Sequence, residues 1–421
     1  MDDILELADR LWTGETEVSS AHPLAVNGGL SEVAPRTAYV ASFARVSAFS
    51  TDDGLVLVDT GHELAARAIH AAVRAWDTGR LNTAVFSHGH IDHVFGVTVF
   101  ESEAAEAGWP APVVVAHEAL PARFDRYKMT AGYNAAVNRR QFQVPSLEWP
   151  TEYRYPDRTY RDRLELDVGG ERFELHHARG ETDDHTWTYV PGRKVLCPGD
   201  LFIWCSPNAG NPQKVQRYPL EWARALREMA TLDVELMLPG HGFPVLGAAR
   251  VRRALSETAE LLESLVSQSL DLMNAGARLD DLLHGVVPPA HLMDRPYLKP
   301  VYDEPEFVVR NIWRLYGGWY DGNPANLQPA PEAALAAELA ALSGGARRLA
   351  GRALELLGAG ELRLAGHLAE LAALAAPGDR ETAEARASVF AARAEQATST
   401  MAKGIFSYAA GESQKRADEA G

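Results

Sequence analysis

Cysteine is nearly absent: the 421 residues hold two, Cys197 and Cys205. Two thiols supply no disulfide framework, and both are expected to be free and partly buried. Long apolar runs are missing too. No stretch reaches the roughly 18 residues that a membrane helix requires, so no membrane partner is expected. The opening MDDILELADRLW begins with acids and has no basic region ahead of an apolar one. No signal peptide is therefore expected, and a cytoplasmic protein is. Positive charge is also short: Lys plus Arg number 41 against 57 Asp plus Glu, a net of −16. That balance argues against nucleic acid or an anionic membrane as partner. It leaves room for a small anionic substrate if a bound metal reverses the local field.

Apolar residues make up 46% of the chain, enough for a large core. The length exceeds one ordinary domain. Residues 1–35 read as a leader with little periodicity. From Ala38 the pattern alternates, AYVASFARVSAF, turns at Thr51-Asp52-Asp53-Gly54 and resumes in LVLVD. Residues 62–76 have helical spacing (Leu64, Ile69, Val73, Trp76), and 83–87 form a short buried strand. Further strands are expected at 113–116, 172–176, 186–190, 194–197 and 235–238, with a helix at 219–232. An α/β domain over 1–247 follows. After Gly247 come a long amphipathic helix at 248–276 and a Pro-rich, aromatic stretch at 288–331. Ala- and Leu-rich helices then break at Gly344-Gly345, Gly358 and Pro377-Gly378. Residues 248–421 are expected to form an all-α domain that packs against another domain or a second subunit.

The sharpest signal is Ser87-His88-Gly89-His90-Ile91-Asp92-His93, with three imidazoles and a carboxylate within six residues at the end of a buried strand. A regular helix or strand cannot aim all four at one point, but a loop opened by Gly89 can. His and Asp suit zinc, manganese or iron.

The spacing HxHxDH resembles the metallo-β-lactamase superfamily without a mismatch. The resemblance implies an αββα sandwich and further ligands after other strands. The loop His177-Ala178-Arg179-Gly180-Glu181-Thr182 stands where the superfamily carries HxPGH, which puts Glu181 in the ligand place. His185, close by, could supply an imidazole instead, while His176 and His177 read as strand or supporting residues. Gly199-Asp200 and Pro239-Gly240-His241-Gly242 match the two remaining positions. The implied assignment gives one ion to His88, His90 and Glu181 and another to Asp92, His93 and His241. Asp200 bridges them, and Asp92 and Asp200 are the catalytic carboxylates. Two divalent ions, zinc by ligand type, would lower the pKa of a shared water. Three carboxylates against four positive charges leave a pocket suited to an anionic ester.

A glutamate in the third position resembles the alkylsulfatase branch. The stretch Val309-Arg310-Asn311-Ile312-Trp313-Arg314-Leu315-Tyr316-Gly317-Gly318-Trp319-Tyr320-Asp321-Gly322-Asn323-Pro324 is similar to that branch's aromatic helix running into GW(F/Y)DGNP. Met273-Asn274-Ala275-Gly276 and the helices after Pro331 resemble its dimerisation domain, implying a homodimer. Ala131-Gly132-Tyr133-Asn134 with Arg139-Arg140 looks like its AGN…RR segment near the substrate. Asn208 sits where it has a pocket asparagine, and Arg217 near an arginine that can fork onto sulfate oxygens. Lys214 is the alternative to Arg217. The chain departs from the branch in using Asp200 where Glu is usual, and in lacking its histidine-bearing stretch after that acid. It also stops before the sterol-carrier-like third domain of many members. The resemblance therefore implies hydrolysis of a sulfate ester of a short or medium alcohol, with Trp204, Tyr218 and Trp222 lining an apolar arm. The competing expectations are a lactone or thioester hydrolase of the same fold and a non-catalytic metal-binding scaffold.

Overall fold

Alternation along the strands sorts side chains into two cores. In the computed structural model, which describes residues 4–25 and 29–420, thirteen strands form two sheets. The first runs β1 (Leu30–Ala34), β2 (Thr37–Val40), β3 (Val46–Thr51), β4 (Gly54–Val58), β5 (Leu81–Val85), β6 (Val113–His117) and β7 (Arg158–Tyr160), in that spatial order. The second comprises β8 (Arg163–Val168), β9 (Glu171–His177), β10 (Thr186–Val190), β11 (Val195–Ile203), β12 (Leu236–His241) and β13 (Val245–Leu246). Pairs β4–β5, β5–β6, β6–β7 and β11–β12 are parallel; the other neighbours are antiparallel.

Val56 and Val58 of β4 face the second sheet and share a core with Phe173, Leu175 and Trp187. Leu55 and Leu57 point the other way, onto Ile69, Val73, Phe100 and Phe124 of three outer helices, Ala66–Trp76, Val97–Ala107 and Leu120–Met129. This period-two switch makes the layers. Phe49 and Phe173 meet edge to face between the sheets, ring centroids 5.5 Å apart. Helices Pro219–Met229 and Ala248–Asn274 cover the second sheet through Leu226, Leu255 and Leu262. The result is helix, sheet, sheet, helix, followed by a run of helices, as expected for the fold.

Two compact units divide the chain: one holds 1–131 and 150–318, the other 132–149 and 319–421. In the second, helices Ala346–Gly358, Leu362–Ala375 and Arg380–Gln396 pack through small residues, Ala353, Ala365 and Ala369 with Val389. Helix Glu332–Ser343 buries Ala336 and Ala340 but leaves Leu335 and Leu342 exposed.

Two sequence expectations change. Residues 1–35 are not featureless: Ile4–Thr13 is a helix that buries Ile4, Ala8 and Leu11, and β1 follows; residues 1–3 and 26–28 lie outside the described residues. The aromatic helix expected within 288–331 is Pro305–Gly317, whose proline stands at the start, where its missing N–H costs nothing. Trp204 and Trp222 are fully buried core residues, not the lining of an open arm; the Trp222 indole donates to the Leu201 carbonyl. Both cysteines are free and buried. Among the described residues no helix is long and apolar enough to cross a membrane.

Candidate metal centre

Parallel neighbours β4 and β5 end side by side, which sets the stage for the centre. Beyond β4 stands Asp59; beyond β5 come Ser87, His88 and His90, and the short helix Ile91–Val94 carries Asp92 and His93. Asp59 accepts the Ser87 N–H at 2.7 Å and its hydroxyl at 2.8 Å, and lies 2.6 Å from Nδ1 of His93. The Gly89 N–H donates to Asp184 at 2.9 Å, and Arg123 holds that carboxylate from behind at 2.7 Å. Glu181 comes from the β9–β10 turn. Asp200 and His241 come from the parallel pair β11 and β12. Gly199 has φ of +55°, and a Cβ there would fall 2.6 Å from the His185 ring, so only glycine lets Asp200 approach.

Seven side chains converge in two groups. His88, His90, Glu181 and Asp200 form one, and Asp92, His93 and His241 the other, the ligand atoms of each lying within 4.8 Å of one another. Glu181 Oε2 is 3.9 Å from both His88 Nε2 and His90 Nδ1. Asp200 Oδ2 is 3.7 Å from His88, 3.5 Å from His93 and 3.3 Å from His241, so it faces both groups. These gaps of 3.3–3.9 Å are longer than an ordinary hydrogen bond. They suit ligands that each stand about 2 Å from a shared tetrahedral ion, which separates them by roughly 3.3 Å. His93 Nε2, Glu181 Oε2 and Asp200 Oδ1 are buried without a hydrogen-bond partner, an arrangement that is costly unless a cation meets them. The donor set therefore fits divalent metal.

Electrostatics agree. Burial pulls His93 down, but Asp59, Asp200 and Asp92 outweigh it and hold the ring well above its ordinary pKa. Burial is likewise overcome at His241, which Asp200 and Asp92 raise to about 10. Burial depresses His88, and burial with the Arg217 charge depresses His90, so both rings are neutral; their facing nitrogens, His88 Nε2 and His90 Nδ1, meet at 2.7 Å. Burial raises Glu181 well above the carboxylate range, against the pull of Arg217. At Asp200 burial works upward too, but His241 and His93 bring the group well below that range.

His185 lies beside the groups but is otherwise engaged. Its Nε2 accepts the Asp200 N–H at 3.0 Å, and its ring stacks on His88 at 4.8 Å. His176 stacks on Trp187 at 3.9 Å, and His177 on His117 at 3.6 Å. Asn208 and Arg217 both reach Glu181: the amide donates to Oε1, and the guanidinium to the backbone carbonyl and, at 3.3 Å, to Oε1. Arg217 is fully buried. Burial, followed by Arg217, lowers Lys214 to about 8. Asn134 lies on helix Ala131–Phe142 and is buried. Sequence reasoning missed Asp59, although it closes the strand LVLVD. It also missed Asp184 with Arg123, and the Phe43 carbonyl 2.8 Å from His241 Nδ1.

Comparison with known proteins finds two family matches: residues 41–241 to the metallo-beta-lactamase superfamily and residues 278–416 to alkyl sulfatase dimerisation. A linear primary-alkylsulfatase from Pseudomonas sp. is 28% identical over 336 residues, 75% of this chain and 62% of that protein. An (R)-specific secondary-alkylsulfatase from Pseudomonas sp. is 28% identical over 334 residues, 72% of this chain and 50% of that protein. The chain thus spans between half and two thirds of the length of these relatives. Among solved structures, the stereoselective inverting sec-alkylsulfatase Pisa1 from Pseudomonas sp. superposes with a TM-score of 0.81 at 23% identity, over 92% of this chain and 66% of that one. That likeness extends the shared fold across both units.

Proposed function

We propose, from the match of residues 41–241 to the metallo-beta-lactamase superfamily and of residues 278–416 to alkyl sulfatase dimerisation, that the chain is a dinuclear metallohydrolase that cleaves alkyl sulfate esters with water. The observation that carries the proposal is Asp200 Oδ2, set within 3.3–3.7 Å of imidazoles from both ligand groups. His88, His90 and Glu181 would hold one ion, Asp92, His93 and His241 the other, with Asp200 between. When bound, two divalent ions, zinc by this mix of imidazole and carboxylate, supply the Lewis acidity that lowers the pKa of water and offsets the charge of an anionic ester.

The chain's own residues prepare that chemistry. Asp59 accepts a hydrogen bond from Nδ1 of His93, and the Phe43 carbonyl accepts one from Nδ1 of His241, so each ring turns Nε2 inward. Asp92 and Asp200, both held below the ordinary carboxylate range against their burial by neighbouring His93 and His241, stay ionised and orient the attacking water. Arg217, enclosed beside Glu181, contributes positive charge, and Lys214 adds a second cation for the sulfate headgroup. Asn208 offers its amide at the same edge. The dimerisation segment and the exposed Leu335 and Leu342 support a homodimer.

The test is sulfate release by metal-loaded protein from a panel of alkyl sulfates, with lactones and thioesters alongside. Turnover of the sulfates supports the reading; brisk lactone or thioester hydrolysis without it assigns the same centre to another ester class.

A further inference from the structure

Glu181 lies in an irregular turn, yet both its carboxylate and its carbonyl are held. Asn208 and Arg217 do the holding, and both come from the stretch 204–218, which has neither helix nor strand. A loop of that kind cannot fix a ligand unless something fixes the loop. Residues 299–317 do so at three points. The Ser206 N–H donates to the Lys299 carbonyl at 3.0 Å. Asp303 accepts the N–H groups of Gly210 at 2.6 Å and Asn211 at 3.1 Å. Asn311, on helix Pro305–Gly317, accepts from the Arg217 N–H at 3.3 Å and the Gln216 amide at 2.9 Å, and donates to the Arg217 carbonyl at 3.1 Å. Gly210 packs so closely on that helix that a Cβ would lie 2.4 Å from the Phe307 carbonyl carbon. Asp303 and Asn311 are both buried.

We propose that Asn311 and Asp303 are positioning residues for the metal centre. They set the 204–218 stretch so that Arg217 and Asn208 hold Glu181 against His88 and His90. The inference rests on the dinuclear reading above and deepens it. Its signature is asymmetry. The second ligand group is oriented from elsewhere, His93 by Asp59 and His241 by the Phe43 carbonyl. Slackening the Asn311 tie should therefore weaken one ion and spare the other. It also gives part of the alkyl sulfatase dimerisation match, residues 278–416, a task at the catalytic centre.

The experiment is a titration of the full chain, stripped of metal, with Co²⁺ or Zn²⁺, followed by visible absorption and calorimetry. Wild type, Asn311→Ala and Asn311→Asp are compared, with circular dichroism to confirm the fold. Supporting groups of this kind are worth about 10–100-fold in metal affinity. Asn311→Ala should raise one dissociation constant by that factor and leave the other in place. Asn311→Asp, which keeps the acceptor for Arg217 and Gln216, should recover part of the loss. If Asn311→Ala does not fold, Asp303→Ala, which removes the acceptor for Gly210 and Asn211, tests the second tie in the same titration. Two sites weakened together, or neither, would overturn the positioning role while leaving the dinuclear reading intact. Wild-type protein that binds no metal would overturn both.

Discussion

The carboxylate of Asp59 stands 2.6 Å from Nδ1 of His93 and, through its other oxygen, accepts the Ser87 N–H that begins the ligand loop. One side chain thus sets both the ring orientation of His93 and the path of the backbone that carries His88, His90 and Asp92. Asp59→Ala should lower metal affinity by about 10–100-fold, with a matching fall in kcat/KM that excess metal partly restores. Unchanged metal affinity would show that the loop needs no such support.

His90→Ala removes one donor of the first group and leaves Asp92, His93 and His241 untouched. Elemental analysis should give close to two ions per chain for wild type and close to one for the variant. Two retained ions would remove His90 from the ligand set.

Asp303 predicts a pH dependence of stability. Burial pushes its carboxyl up to about 6, against the opposing N–H groups of Gly210, Glu304 and Asn211. The fold therefore favours the protonated form. Its stabilising share is complete below the ordinary carboxyl pKa near 4 and is lost as the pH rises through 6. The difference is on the order of 3 kcal/mol. Asp303→Asn has no such proton. Urea midpoints measured from pH 4 to 7 should show wild type losing ground to the variant across that window, and a constant difference would contradict the assignment.

Leu335 and Leu342 are 55% and 84% exposed on helix Glu332–Ser343. A dimer that buries this face should be weakened by Leu342→Glu, since apolar residues dominate stable subunit interfaces. Light scattering at micromolar concentration should give a dimer for wild type and a shift toward monomer for the variant. A monomeric wild type removes the homodimer from the account.

What the sequence revealed follows from distance along the chain. His88, His90, Asp92 and His93 are packed into six residues, and that density made them legible. Asp200 and His241 were legible because each follows a glycine, Asp200 inside β11 and His241 at the end of β12, where the motif of a known superfamily could be laid over them. Asp59 was not, because its role arises only when β4 and β5 pair in parallel and bring residues 28 apart into contact. Asp303 and Asn311 act across more than 90 residues, which no local pattern records. The helix Ile4–Thr13 was passed over although Ile4, Ala8 and Leu11 recur at helical spacing; the acidic opening masked a short apolar stripe. The strands β7 and β8 escaped notice because β7 is three residues long and β8 places the exposed charges Arg163, Glu165 and Asp167 at every second position.

The central claim is metal-dependent sulfate ester hydrolysis, and the most direct measurement is inorganic sulfate released from a series of alkyl sulfates by the purified protein, before and after chelation and after zinc is returned. The account predicts release that chelation abolishes and zinc restores. Metal-loaded protein with two bound ions that frees no sulfate from any member of the series would contradict it.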